Sequence, residues 1–186
     1  AERPFWSTDS RQIGYMQNVI AGRAVLRTVS AQGGPSTLVC NLPAYSFPRG
    51  AAWIPDGQIV FSFVTQSEVI TRGAGTLYTV SAGGGEPRLF LAPDSTRGEV
   101  GFAYPNVLPD GKTIVVSLTT TDGTGTLVAL TGDSRTELFR DPGALLMFPV
   151  YASSGHIIYQ RNNDSENVAS SVWALPFDAL APVTTG

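Results

Sequence analysis

Apolar positions along this chain fall in short runs, each bounded by a turn, and no segment sustains the roughly 3.6-residue period of an amphipathic helix. The runs at 58–63 and 113–118 read Gln-Ile-Val-Phe-Ser-Phe and Thr-Ile-Val-Val-Ser-Leu. Such alternating or continuous apolar stretches read as strands. Turns of one kind precede them. Trp53-Ile54-Pro55-Asp56-Gly57 leads into the first and Val107-Leu108-Pro109-Asp110-Gly111 into the second. Trp6-Ser7-Thr8-Asp9-Ser10 leads into 12–17, and Tyr151-Ala152-Ser153-Ser154-Gly155 into 156–160. The chemistry is that of a hairpin. An apolar residue ends one strand, proline sets φ, aspartate accepts backbone N–H groups and glycine supplies a positive φ.

A second landmark recurs in phase with the first. Leu26-Arg27-Thr28-Val29-Ser30-Ala31-Gln32-Gly33-Gly34 returns as Leu77-Tyr78-Thr79-Val80-Ser81-Ala82-Gly83-Gly84-Gly85. Weaker copies are Leu127-Val128-Ala129-Leu130-Thr131-Gly132-Asp133 and Val172-Trp173-Ala174-Leu175-Pro176-Phe177-Asp178. Each reads as a strand entering a tight turn, followed in the first three copies by a short strand at 36–40, 87–91 and 136–139. Two landmarks repeating together every 50 residues or so, roughly one propeller blade, predict the whole architecture. The expected fold is all-β, a β-propeller of about four four-stranded antiparallel blades in one partial domain spanning 1–186. The blades should fall near 1–45, 46–96, 97–142 and 143–186. Trp53, Val107 and Tyr151 should be equivalent and pack between blades.

These residues resemble the TolB-type, WD-like propeller repeat. Pro55-Asp56-Gly57 and Pro109-Asp110-Gly111 are similar to its "W-S-P-D-G" turn, with Asp9-Ser10 and Ser154-Gly155 as degenerate copies. The order of landmarks over 6–14, 33–38 and 50–61 also resembles the propeller at the C-terminal end of bacterial serine/threonine kinases. That resemblance implies an extracytoplasmic setting, periplasmic or at the cell surface. It also implies six blades, which at this repeat length need about 290 residues. The fourth blade's last strand should begin only at 183–186, so the repeat predicts an open arc cut from a six-bladed type. Such an arc exposes an apolar face at each end, which predicts a homo-oligomer paired through the first and fourth blades.

Composition narrows the function classes. Of the 186 residues, 42% are hydrophobic and 15% charged, which argues against a disordered chain. The 20 glycines and 13 prolines suit many tight turns. Net charge is −3 and no basic cluster exceeds a pair, so nucleic-acid partners lack an electrostatic footprint. No apolar run reaches the roughly 18 residues that insert into a membrane. Cys40 is the single cysteine and leaves the redox compartment open.

Candidate chemistry is sparse. His156 is the only histidine, which rules out a multi-histidine metal site within one chain. Asp9, Asp56 and Asp110 occupy equivalent turns on different blades and read as turn caps. Asp94, Arg97 and Glu99 lie in the connection entering the third blade, with Tyr104 and Asn106 on its first strand. Such positions border a propeller's central channel, which makes these five the ligand-site candidates. Asn162, Asn163, Asp164 and Glu166 form the densest oxygen-rich stretch, where a divalent cation such as calcium would find hard ligands. No Gly-x-Ser-x-Gly elbow occurs.

Three expectations follow. The first is a non-catalytic interaction module that binds another protein or a small ligand and needs no cofactor. The second is a calcium-type hydrolase of the lactonase or phosphotriesterase sort. The third is the propeller portion of a larger kinase sensor or peptidase.

Overall fold

The computed structural model describes residues 2–19, 23–66, 75–163 and 170–178. Within them, strands assemble into four antiparallel sheets, each running in chain order from its first strand to its last. The first comprises β1 (Glu2–Trp6), β2 (Gln12–Val19), β3 (Arg23–Ser30) and β4 (Thr37–Asn41). The second comprises β5 (Ser46–Trp53), β6 (Gln58–Thr65), β7 (Thr76–Ser81) and β8 (Arg88–Leu91). The third holds β9 (Glu99–Val107), β10 (Thr113–Thr120), β11 (Gly125–Thr131) and β12 (Ser134–Asp141). The fourth holds three described strands, β13 (Leu145–Ala152), β14 (His156–Asn162) and β15 (Ser171–Pro176). This is the all-β propeller-blade architecture that the repeat predicts. The last strand expected for the fourth blade lies outside the described residues.

Contacts divide the chain into two compact units, Ala1–Ala92 and Pro93–Gly186. In the first unit, Met16, Leu26 and Cys40 of one sheet share a core with Ile59, Phe61 and Val80 of the next. Trp53 is 9% exposed in that core, and its ring lies 6.2 Å from Phe5. Burying each large apolar side chain stabilises by about 1.5–3 kcal/mol. On β6, Val60 and Val64 are buried as fully as Ile59 and Phe61. Both faces of that strand are therefore covered, which is why its sequence runs apolar without alternating.

The second unit has its own core of Leu108, Val115, Leu127, Leu146, Ile157 and Tyr159, with Tyr151 packed against it. Val107 departs from the expectation. It is only half-buried, and Leu108 beside it takes the core position. A glycine is required where the two sheets of this unit meet. A Cβ on Gly125 would lie 2.4 Å from the Ala144 carbonyl oxygen, and the Gly125 N–H donates to that oxygen at 2.8 Å.

The outer strands share a device that the repeat did not announce. Register slips between Leu26 and Arg27, between Leu77 and Tyr78, and between Leu127 and Val128 mark a bulge in β4, β8 and β12. The slip falls at the same leucine of each copy. A bulge bends an edge strand and hinders pairing with a foreign strand.

Candidate functional site

Each first strand is also bulged, and the bulge places one residue in the left-handed region. These residues are Arg3 (φ 51°), Gly50 (φ 103°), Tyr104 (φ 55°) and Phe148 (φ 55°). Register slips accompany all four. Each lies at one position of the repeat, just ahead of Trp6, Trp53, Val107 or Tyr151. For a residue with a Cβ this conformation costs about 1–2 kcal/mol, so the surrounding contacts must hold it.

Those contacts run from one first strand to the next. In the first unit the Arg3 Nε–H donates to the Pro48 carbonyl at 3.0 Å. In the second, the Tyr104 hydroxyl reaches Met147 Sδ at 3.9 Å, and the Tyr104 and Phe148 rings lie 4.3 Å apart. Asn106 Oδ1 accepts the Tyr151 N–H at 3.1 Å. Phe148 remains 37% exposed and Val150 beside it 50%. The arrangement offers aromatic and apolar surface around one phenol. Such surface holds a flat or apolar group by stacking and packing.

The five predicted ligand-site residues separate into two groups. Tyr104 and Asn106 belong to this bulged region, although Asn106 spends its carbonyl oxygen on the Tyr151 N–H. Asp94, Arg97 and Glu99 gather at the start of β9. Glu99 is the centre of that group, its side chain 2% exposed. Arg135 Nη2 donates to Glu99 Oε1 at 2.6 Å and the Asp94 N–H donates to Oε2 at 2.9 Å. Arg97 stands 3.9 Å away. A buried carboxylate without such partners would be costly, so this constellation reads as internal compensation. Asp94 caps the 3-10 turn Ser95–Arg97, accepting from the Thr96 hydroxyl and N–H. The Thr96 hydroxyl is the chief reason its carboxyl lies below the usual aspartate range.

Of the oxygen-rich stretch, Asn162 ends β14 and Asn163 follows it, whereas Asp164 and Glu166 lie outside the described residues. Asn163 Oδ1 is buried with no hydrogen-bond partner among the described residues. Among those residues, no three of His, Cys, Asp and Glu group as metal ligands.

The turn aspartates do what their repeat position predicts. Asp9 accepts from the Arg11 N–H, Asp56 from the Gln58 N–H, and Asp110 from the Lys112 and Thr113 N–H groups. His156 Nδ1 lies 3.0 Å from the Ser154 carbonyl oxygen, inside its own turn. Burial, with Glu86 nearby, pushes the Cys40 thiol up to about 11, away from a reactive thiolate.

Sequence reasoning missed Arg3, Gly50 and Phe148. The signal was a position in the repeat, followed by proline at Arg3, Tyr104 and Phe148, and Gly50 alone is of a residue type that advertises a positive φ.

No protein-family model matches the chain, and no curated protein matches it. Solved structures do. The chain is similar to a putative TolB from Agrobacterium tumefaciens at 19% identity and a TM-score of 0.66, covering 94% of this chain and 57% of that one. TolB from Acinetobacter baumannii matches at 13% identity and a TM-score of 0.67, over 92% and 40%. An oligogalacturonate lyase solved in complex with manganese matches at 12% identity and a TM-score of 0.60, over 88% and 47%. The chain thus spans about half the length of these structures. At such identities the likeness shows the fold, a β-propeller with TolB among its neighbours, and leaves function to the site.

Proposed function

We propose that this chain is a non-catalytic β-propeller module that binds another protein or a small ligand along its bulged first strands and associates with copies of itself. The carrying observation is the Tyr104–Phe148 pair, held in strained left-handed conformations with part of its aromatic surface open. Strain of this kind persists where surrounding structure enforces it, and it concentrates at sites that hold ligands. Self-association is supported by exposed apolar side chains on the first and fourth sheets. Leu38 of β4 is 43% exposed, Val150 of β13 50% and Val172 of β15 75%. An extracytoplasmic setting and kinship with kinase-linked propellers rest on the turn motifs and belong to the same reading. Assays with lactone, ester and phosphotriester substrates, with and without calcium, test the non-catalytic claim. No turnover is expected, and saturable turnover abolished by a chelator would overturn it.

A cation near Asn162 and Asn163 is a second reading, favoured by the buried Oδ1 of Asn163, which has no hydrogen-bond partner among the described residues. Hard cations take such oxygens. Calorimetric titration with calcium should give a saturable heat that Asn163→Ala removes; a flat titration excludes the site.

A further inference from the structure

The second sheet carries a groove of about 530 Å³ that the first-strand site does not use. It lies within the first unit. Asp56, Gln58, Thr79, Glu86, Arg88 and Phe90 are among the residues that line it. Three of them form a diagonal row across the sheet, because Gln58 pairs with Ser81 and Thr79 with Val60. Thr79 pairs with Arg88, and the Thr79 hydroxyl faces Gln58 Oε1 at 3.5 Å, the outer limit of a hydrogen bond. Phe90 is the extra residue of the β8 bulge, its side chain 39% exposed beside that row.

The third sheet serves as an internal control. There Thr113 stands where Gln58 stands in the second. Its hydroxyl is 2.6 Å from Asp110 Oδ2 and 2.9 Å from the Thr131 hydroxyl, so the polar groups satisfy one another. In the second sheet Asp56 accepts from the Gln58 N–H and Gln58 Oε1 faces Thr79, and two charged groups beside them are left over. Neither the Arg88 guanidinium nor the Glu86 carboxylate makes a hydrogen bond or ion pair among the described residues. The groove therefore presents an uncommitted guanidinium and an uncommitted carboxylate around an open aromatic ring.

The chemistry of the lining selects the ligand. An anion would meet the Asp56 and Glu86 carboxylates, and a cation would meet Arg88. A purely apolar ligand would strand all of these groups out of water, at a cost. A neutral ligand dense in hydroxyls fits. Guanidinium, amide and carboxylate groups are planar and can take neighbouring hydroxyls two at a time. The Phe90 ring supplies an apolar face for the C–H surface of a sugar ring. We propose that this groove is a saccharide site, separate from the first-strand surface.

Titration of the isotope-labelled chain with maltotetraose, cellotetraose and N-acetylchitotetraose, followed by NMR, tests it. At least one probe should give saturable shifts at Gln58, Thr79 and Arg88. Phe90→Ala and, separately, Arg88→Ala should each weaken that probe about tenfold or more, on the scale of one lost aromatic or charged contact. Both side chains are exposed, so the rest of the spectrum should stay unchanged and report an intact fold. The proposal is overturned if no probe moves these residues at millimolar concentration. Shifts that spare the groove, or that survive both substitutions, overturn it equally.

Discussion

Tyr104 and Phe148 meet ring to ring, with centroids 4.3 Å apart and both backbones at φ 55°. The contact is worth about 0.5–1.5 kcal/mol beyond its buried area, comparable to the torsional cost of one left-handed residue. Two strained residues thus support each other across adjacent first strands. In the first unit the same position pairs Arg3 with a strand that carries Gly50, where glycine removes the strain at its source.

Gly50→Ala should therefore destabilise the chain by about 1–2 kcal/mol, because alanine pays the positive-φ cost without gaining a cross-strand contact. Urea unfolding would show a lower midpoint at unchanged slope. An unchanged midpoint would mean that alanine meets no positive-φ cost at this bulge.

Trp53→Ala should cost about 3–5 kcal/mol, the usual result of emptying a large buried aromatic site. Trp6, its counterpart in the first sheet, is 57% exposed, and Trp6→Ala should cost less than about 1 kcal/mol. Thermal melts of the two variants would separate these roles, and equal shifts would refute the difference in burial.

The contrast between Trp6 and Trp53 shows where sequence reasoning reaches and where it stops. Blade number, strand order and turn chemistry were legible because Pro-Asp-Gly turns and the Leu-x-Thr-Val-Ser strand are local signals. Burial at equivalent positions was not legible. It depends on what the neighbouring sheet supplies, so Val107 yields its place to Leu108. The bulges were harder to read, since Arg3, Tyr104 and Phe148 differ in residue type and share only the proline that follows each. Of the five ligand-site candidates, Tyr104 lies on the bulged surface, packed ring to ring against Phe148. Glu99 looked like a channel carboxylate but is consumed by Arg135, a partner from the far strand of its sheet that no local pattern reveals.

Glu99→Ala should cost about 3 kcal/mol, because it leaves the Arg135 charge without its partner. The figure sits at the low end for a broken buried pair, since the Arg135 side chain keeps 23% exposure and some solvation. Denaturant unfolding of Glu99→Ala and of the Glu99→Ala, Arg135→Met double variant would check it. The double variant should recover part of the loss, and no recovery would contradict the pairing.

Asp122 gives the chain an acid-sensitive contribution. The Thr120 hydroxyl, then the Thr124 N–H, hold its carboxyl well below the ordinary 3.8, at about 2. A depressed carboxyl stabilises the fold above the ordinary value, and that contribution disappears as pH falls from 3.8 toward 2. Asp122→Asn should flatten the stability-versus-pH curve in that window and leave it unchanged near neutrality in slope. Parallel curves for variant and parent would show that Asp122 makes no such contribution.

Assembly of the chain through its first and fourth sheets is the claim most directly open to measurement. Sedimentation velocity over a micromolar concentration series decides it, with Val172→Asp and Leu38→Asp as companions. Both side chains are exposed, so neither substitution should lower the melting temperature of the isolated fold. The expected result is a concentration-dependent dimer or larger ring for the parent and a shift to monomer for the variants. A parent chain that stays monodisperse and monomeric at every concentration, while melting as sharply as a complete domain, would contradict the account.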